Sequence, residues 1–217
     1  MILAHKVLAP DREPGEDHQD SMRDHAATTR RAVLADAYPT SAAREVVLVA
    51  MFAVFIGISA QVSIPLPFTP VPITGQTFGV LAGSLALGAR RSLAGVLLYL
   101  ALGLLGVPWF AQAEGGLGIL HLPTVGYLVG FLPAAYIAGR LAEAGFYRRP
   151  WPAFFAMVIC SAVIYAFGLA GLVLTLKVSL GTAVTLGLTP FLFGDALKAI
   201  VASLALPGAN RLLHRTA

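Results

Sequence analysis

Along most of this chain polar positions are rare, and they divide long apolar runs rather than alternating with apolar residues. Six such runs stand out, at about residues 44–64, 73–88, 92–106, 124–142, 152–174 and 188–206. A helix needs roughly 20 apolar residues to cross about 30 Å of hydrocarbon, and fewer when it is buried among other helices. Backbone N–H and C=O groups in lipid must be satisfied within the element, so the runs predict a bundle of six transmembrane helices. A membrane barrel is excluded, because its strands would alternate apolar and polar residues.

Composition agrees with the pattern. The chain is 57% hydrophobic and 12% charged, with a mean hydropathy of +0.78, too apolar for a soluble domain of ordinary make-up. Charge is concentrated at the start: residues 1–40 hold five Lys/Arg and seven Asp/Glu, leaving ten basic and four acidic residues for 41–217. Residues 1–40 therefore read as a polar, disordered N-terminal extension on the cytoplasmic side, and residues 41–217 as the six-helix transmembrane domain. Nothing in the extension reads as a targeting peptide, and Met22 is a second candidate start. Basic residues sit singly or in pairs, with no stripe interleaved with aromatics, which argues against nucleic acid. The lone cysteine, Cys160, lies in an apolar run and reads as a small buried side chain.

The loops give an orientation. Arg30, Arg31 and Arg44 precede the first run, Arg90 and Arg91 separate the second and third, Arg140, Arg148 and Arg149 the fourth and fifth, and Arg211 and Arg215 follow the sixth. The alternate connections carry only Lys177, so the positive-inside rule places both termini in the cytoplasm. Small residues recur four apart, at Ala53 and Gly57, Gly79 and Gly83, Gly126 and Gly130, and Ala134 and Ala138, a spacing that lets helices approach closely inside a bundle.

Candidate chemistry lies where polar side chains interrupt the runs. Asp195 and Lys198 are three apart, hence on one face of the sixth helix. An ionised group inside a membrane costs about 2.5–3.5 kcal/mol on insertion scales, which marks the pair either as a ligand site or as an ion pair fastening the bundle. In the predicted topology Gln76 and Tyr127 fall at the same outer level, with Lys198 a turn deeper than Asp195. The 107–123 connection adds Trp109, Phe110, Glu114 and His121 among glycines, a stretch suited to closing over a ligand or to plain connection. Pro65, Pro67, Pro70 and Pro72 stiffen the first outer loop in a turn-forming role. Neither a Cys/His metal cluster nor a Ser/His dyad can be assembled, and no Gly-rich loop followed by Lys and Ser/Thr is present. The chain therefore reads as no enzyme, with no cofactor and no ATPase activity of its own.

Four ordered motifs carry a family resemblance: Val71-Pro72-Ile73-Thr74 with Gln76-Thr77; Gly115-Gly116-Leu117-Gly118; Pro123-Thr124 with Gly126-Tyr127-Leu128; and Thr189-Pro190-Phe191-Leu192 with Gly194-Asp195 and Lys198. Over about residues 44–212 the chain resembles BioY, the biotin-specific substrate-binding subunit (S component) of energy-coupling factor (ECF) transporters. It departs from the common pattern at Val125, where a glycine is usual, and at Phe193, where a proline is usual. The resemblance implies high-affinity biotin capture from outside and uptake across the cytoplasmic membrane, with a transmembrane coupling subunit and ABC-type ATPases as partners. It also implies that Tyr127, Asp195 and Lys198 line the biotin site, with His121 and Gln76 carried over on looser matches. Lys198 would suit the valerate carboxylate, and Asp195 the ureido N–H groups. Two other classes stay open at this point: a stand-alone secondary transporter of another small organic anion or vitamin, and an intramembrane enzyme.

Overall fold

The computed structural model describes residues 33–37 and 41–216, and the rest of the N-terminal extension lies outside the described residues. The first long helix, α1, spans Ala42–Gln61 and is capped by Ser41, whose hydroxyl accepts from the Arg44 amide at 3.2 Å. It does not run on to residue 64. Two strands, β1 at Ser63–Leu66 and β2 at Thr69–Thr74, pair antiparallel with Ser63 opposite Thr74 and Ile64 opposite Ile73. The alternating prolines explain this. Proline drives the residue before it into extended backbone, so 63–74 cannot be helical, and the irregular pairing between Ile64 and Leu66 falls at Pro65, which has no N–H to give. The second helix accordingly starts at Gln76 rather than at residue 73.

Helix α2 (Gln76–Leu87) and helix α3 (Ala89–Leu104) meet at Gly88, whose φ of 84° makes the corner. The first free amide of α3, Ala89 N, is capped by Glu143 Oε1 at 2.9 Å from the end of α4, Val125–Glu143. Helix α5 covers Pro150–Leu176 and opens on a proline, where the missing N–H costs nothing. A short helix, α6 (Leu180–Gly187), and the final α7 (Leu192–Thr216) complete the order. Helix α6 occupies what the sequence reads as a loop; Ser179 caps it by accepting from the Thr182 amide at 3.2 Å. Among the described residues, four helical stretches are long and apolar enough to cross a membrane: Ala42–Gln61, Val125–Glu143, Pro150–Leu176 and Leu180–Leu212.

Small side chains let the helices pack closely around a core that also holds Phe52, Leu81, Leu85 and Tyr99, and other large apolar residues face outward. Ala134, Ala135, Ala138 and Ala156 are fully buried, while Met51, Phe55, Phe155, Leu197 and Leu204 are exposed on the helices' outer faces. That is the arrangement expected where lipid is as apolar as leucine and helices are held by close packing. Phe52 of α1 shows the fit: its ring fills the space that side chains at Gly83 of α2 and Gly95 of α3 would need. The small-residue pairs thus serve internal packing. At the end of the bundle bearing the arginines, a 3-10 turn at Leu34–Ala37 packs beside buried Val33. Arg91 holds it, pairing at 2.7 Å with both Asp36 and Glu45.

Candidate functional site

The opposite end of the bundle encloses a cavity of about 160 Å³. Its walls come from the hairpin (Val71, Pro72), the start of α2 (Gln76, Thr77), the 111–124 connection, α4 (Tyr127, Leu128, Phe131), α5 (Ser161, Ile164, Tyr165) and α7 (Asp195, Lys198). Most of this lining is apolar or aromatic, with Thr77, Tyr165, Asp195 and Lys198 joined in one polar cluster, the usual make-up of a small-molecule site.

Helix α7 supplies the charged pair. A 3-10 turn at Thr189–Phe191, begun with Pro190, aims the chain into α7 so that Asp195 falls in its first turn. There the helix dipole favours a carboxylate. Lys198 Nζ lies 2.8 Å from Asp195 Oδ1, with side chains 21% and 11% exposed, and it also donates to Thr77 Oγ1 at 2.9 Å. The Tyr165 hydroxyl donates to Asp195 Oδ2. The carboxylate is thus met by an ammonium, a phenol and, at 3.5 Å, the Thr77 hydroxyl. Among the described residues two of the three ammonium hydrogens are used, which leaves the third to meet a ligand.

Tyr127 is present in the cavity, but its hydroxyl is engaged. It donates to the Gly187 carbonyl at 2.7 Å, tying α4 to the end of α6. Its ring is what faces the cavity, edge-on to Tyr165 with centroids 6.4 Å apart. Gln76 is 5% exposed and donates from Nε2 to the Tyr99 hydroxyl at 2.7 Å.

Of the residues singled out by sequence, Asp195, Lys198, Tyr127 and Gln76 meet around one cavity, and His121 does not. His121 ends the 3-10 turn Leu117–His121 on the exposed side, because that turn buries Ile119 and directs it to the cavity instead. Tyr165 and Thr77 are the residues that sequence reasoning passed over as site members. Tyr165 had a signal: with Ser161 and Ile164 it makes an i, i+3, i+4 face that holds the polar groups of an otherwise apolar stretch of α5.

Apolar helices long enough to span a bilayer, packed around a cavity with a polar wall, define a multi-pass membrane protein with a small-molecule pocket. Comparison with known proteins narrows the class. The BioY family model matches residues 27–215. The biotin transporter BioY of Rhizobium etli is 36% identical over 169 residues, which cover 74% of this chain and 90% of that protein. Its counterpart from Thermotoga maritima is 35% identical over 163 residues, covering 74% and 92%. A crystal structure of the S-component for biotin from an ECF-type ABC transporter shares the fold, with a TM-score of 0.72 over 80% of this chain and 95% of that one at 23% identity. This chain belongs to the BioY family.

Proposed function

We propose that this chain is the substrate-binding subunit of an ECF-type importer, capturing biotin from outside the cytoplasmic membrane. A transmembrane coupling subunit and ABC-type ATPases would energise the uptake. The observation that carries the reading is the pairing of Lys198 and Asp195 in the lining of a cavity whose walls are mostly apolar and aromatic. Biotin is an amphiphile of matching layout: a carboxylate on an alkyl chain, an apolar thiophane ring, and a ureido group with two N–H donors. The free hydrogen of Lys198 suits the carboxylate, and the Asp195 oxygens lie within reach of ureido N–H groups. Tyr127, Leu128, Phe131 and Ile164 supply apolar contact for the ring and chain. Family membership, with relatives named as biotin transporters, supports the same ligand.

Equilibrium binding of labelled biotin to the purified full chain in detergent tests the reading. Saturable binding that unlabelled biotin displaces is expected. A folded preparation that binds no biotin would remove the proposal.

The proposed topology has six spans, counting the shorter α2 and α3, with both termini and the arginine-bearing end in the cytoplasm and the hairpin end outside. In a Cys160→Ala background, a cysteine at Glu114 should react with an impermeant thiol reagent added to intact cells, and one at Arg149 should not. Both positions are exposed, so access is set by the side of the membrane. Labelling at 149 without labelling at 114 would reverse the orientation.

A further inference from the structure

A line of hydrogen bonds leaves the cavity at Gln76 and ends on the connection that covers it. Gln76 Nε2 donates to the hydroxyl of Tyr99, a fully buried residue of α3, at 2.7 Å. That hydroxyl lies 3.4 Å from the Trp109 carbonyl oxygen and donates to it. Trp109 is itself held: its indole Nε1 donates to the Tyr99 carbonyl at 3.1 Å, and Gln61 Nε2 reaches the same Trp109 carbonyl at 3.1 Å.

Polarity follows from the hydrogen count. A carbonyl only accepts, and a phenol has one hydrogen. With that hydrogen given to Trp109, the Tyr99 oxygen can only accept, so it draws the NH₂ end of the Gln76 amide toward itself. The oxygen end of the amide is left for the cavity. Among the described residues no donor meets Gln76 Oε1. The neighbouring carboxylate of Asp195, by contrast, already accepts from Lys198 and Tyr165.

We propose that Tyr99, which does not line the cavity, is a positioning residue that locks Gln76 as a hydrogen-bond acceptor, so that this wall selects a ligand presenting an N–H. The proposal rests on the biotin reading, in which the ureido ring supplies that donor.

Biotin binding to the full chain tests it through a double-mutant cycle. Gln76→Met removes the acceptor and should weaken binding by about tenfold, the scale of one buried neutral hydrogen bond. Tyr99→Phe frees the amide to rotate and should weaken binding by roughly three- to tenfold. The double variant should bind no more weakly than Gln76→Met alone, because Tyr99 acts only through Gln76. A merely structural role would lower affinity by the same factor in both backgrounds, and that result overturns the proposal. So does an unchanged affinity in Tyr99→Phe. Should Tyr99→Phe not fold, Gln76→Glu and Gln76→Lys decide: the acceptor-only variant should bind at least about tenfold more tightly than the donor-only one. Equal or reversed affinities overturn the inference. Failure of the unaltered chain to bind biotin would instead remove the reading beneath it, so the two failures are distinct.

Discussion

Asp195→Ala should abolish biotin binding and lower the melting temperature of the protein in detergent. The carboxylate is 11% exposed and balances the ammonium of Lys198 at 2.8 Å. Removing it strands that charge at low dielectric, a loss of about 3–5 kcal/mol when one partner of a buried pair is deleted. Tyr165 and Thr77 lose a partner at the same time. Lys198→Met is gentler on the fold, since Asp195 keeps the Tyr165 hydroxyl and the start of α7. It removes the only cation lining the cavity among the described residues, so biotin should weaken by roughly ten- to a hundredfold, the scale of one charge-assisted hydrogen bond, while biotin methyl ester weakens far less. Asp195→Asn, nearly the same in shape, should weaken acid and ester alike, because both carry the ureido ring. A pair that only fastens the bundle gives another pattern. Both single variants then melt early, Asp195→Asn with Lys198→Met recovers the melting temperature, and each binds biotin normally once folded. That pattern would remove the two residues from the site.

How much of this was legible in the sequence depended on whether a residue's role was set by its own run or by a distant one. Asp195 and Lys198 announced themselves because a charge inside an apolar helix is costly wherever the helix packs. Gln76 and Tyr127, which line the cavity with Asp195 and Lys198, could be placed at one level with Asp195 because residues near the same end of helices read as running in one direction have predictable depth. The helix limits near 64 and 73 were misread for a local reason that was present in the chain. Pro65, Pro67, Pro70 and Pro72 alternate, which favours an extended hairpin over helix, but the apolar residues between them kept the run looking continuous. Helix α6 escaped notice because eight residues with two glycines lie below the length at which periodicity speaks. Tyr99 and Thr77 were out of reach for a different reason, and Tyr165 showed its helix face but not its partner. Their partners lie 10 to 121 positions away, and only the packing of α2, α3, α5 and α7 brings them together. His121 is the opposite case: a polar residue in a connection that lines the cavity, left exposed and away from it at the end of the 3-10 turn.

The position of Tyr127 depends on a glycine, and enlarging it should disturb fold and site together. Gly126 lies at a backbone-to-backbone contact of α4 with α5, against Gly171 and the Phe167 carbonyl. A Cβ at 126 would overlap that carbonyl and come within 2.9 Å of the Gly171 Cα. Backbone cannot rotate away as a side chain can, so Gly126→Val must push the start of α4 off α5. Overpacking of this kind costs about 1–3 kcal/mol, to be read as a lower melting temperature. The displacement also carries Tyr127 away from the Gly187 carbonyl, 2.7 Å distant, and from the edge of Tyr165, opening the cavity wall between α4 and α5. Biotin affinity should therefore fall by at least about tenfold even at temperatures where the variant is folded. Gly208→Ala provides the control, because nothing lies within 4 Å of a Cβ there and melting and binding should both stay as they are. A Gly126→Val protein that melts and binds like the unaltered chain would show that α4 and α5 are not packed backbone to backbone at this level, and that Tyr127 is held by something other than their contact.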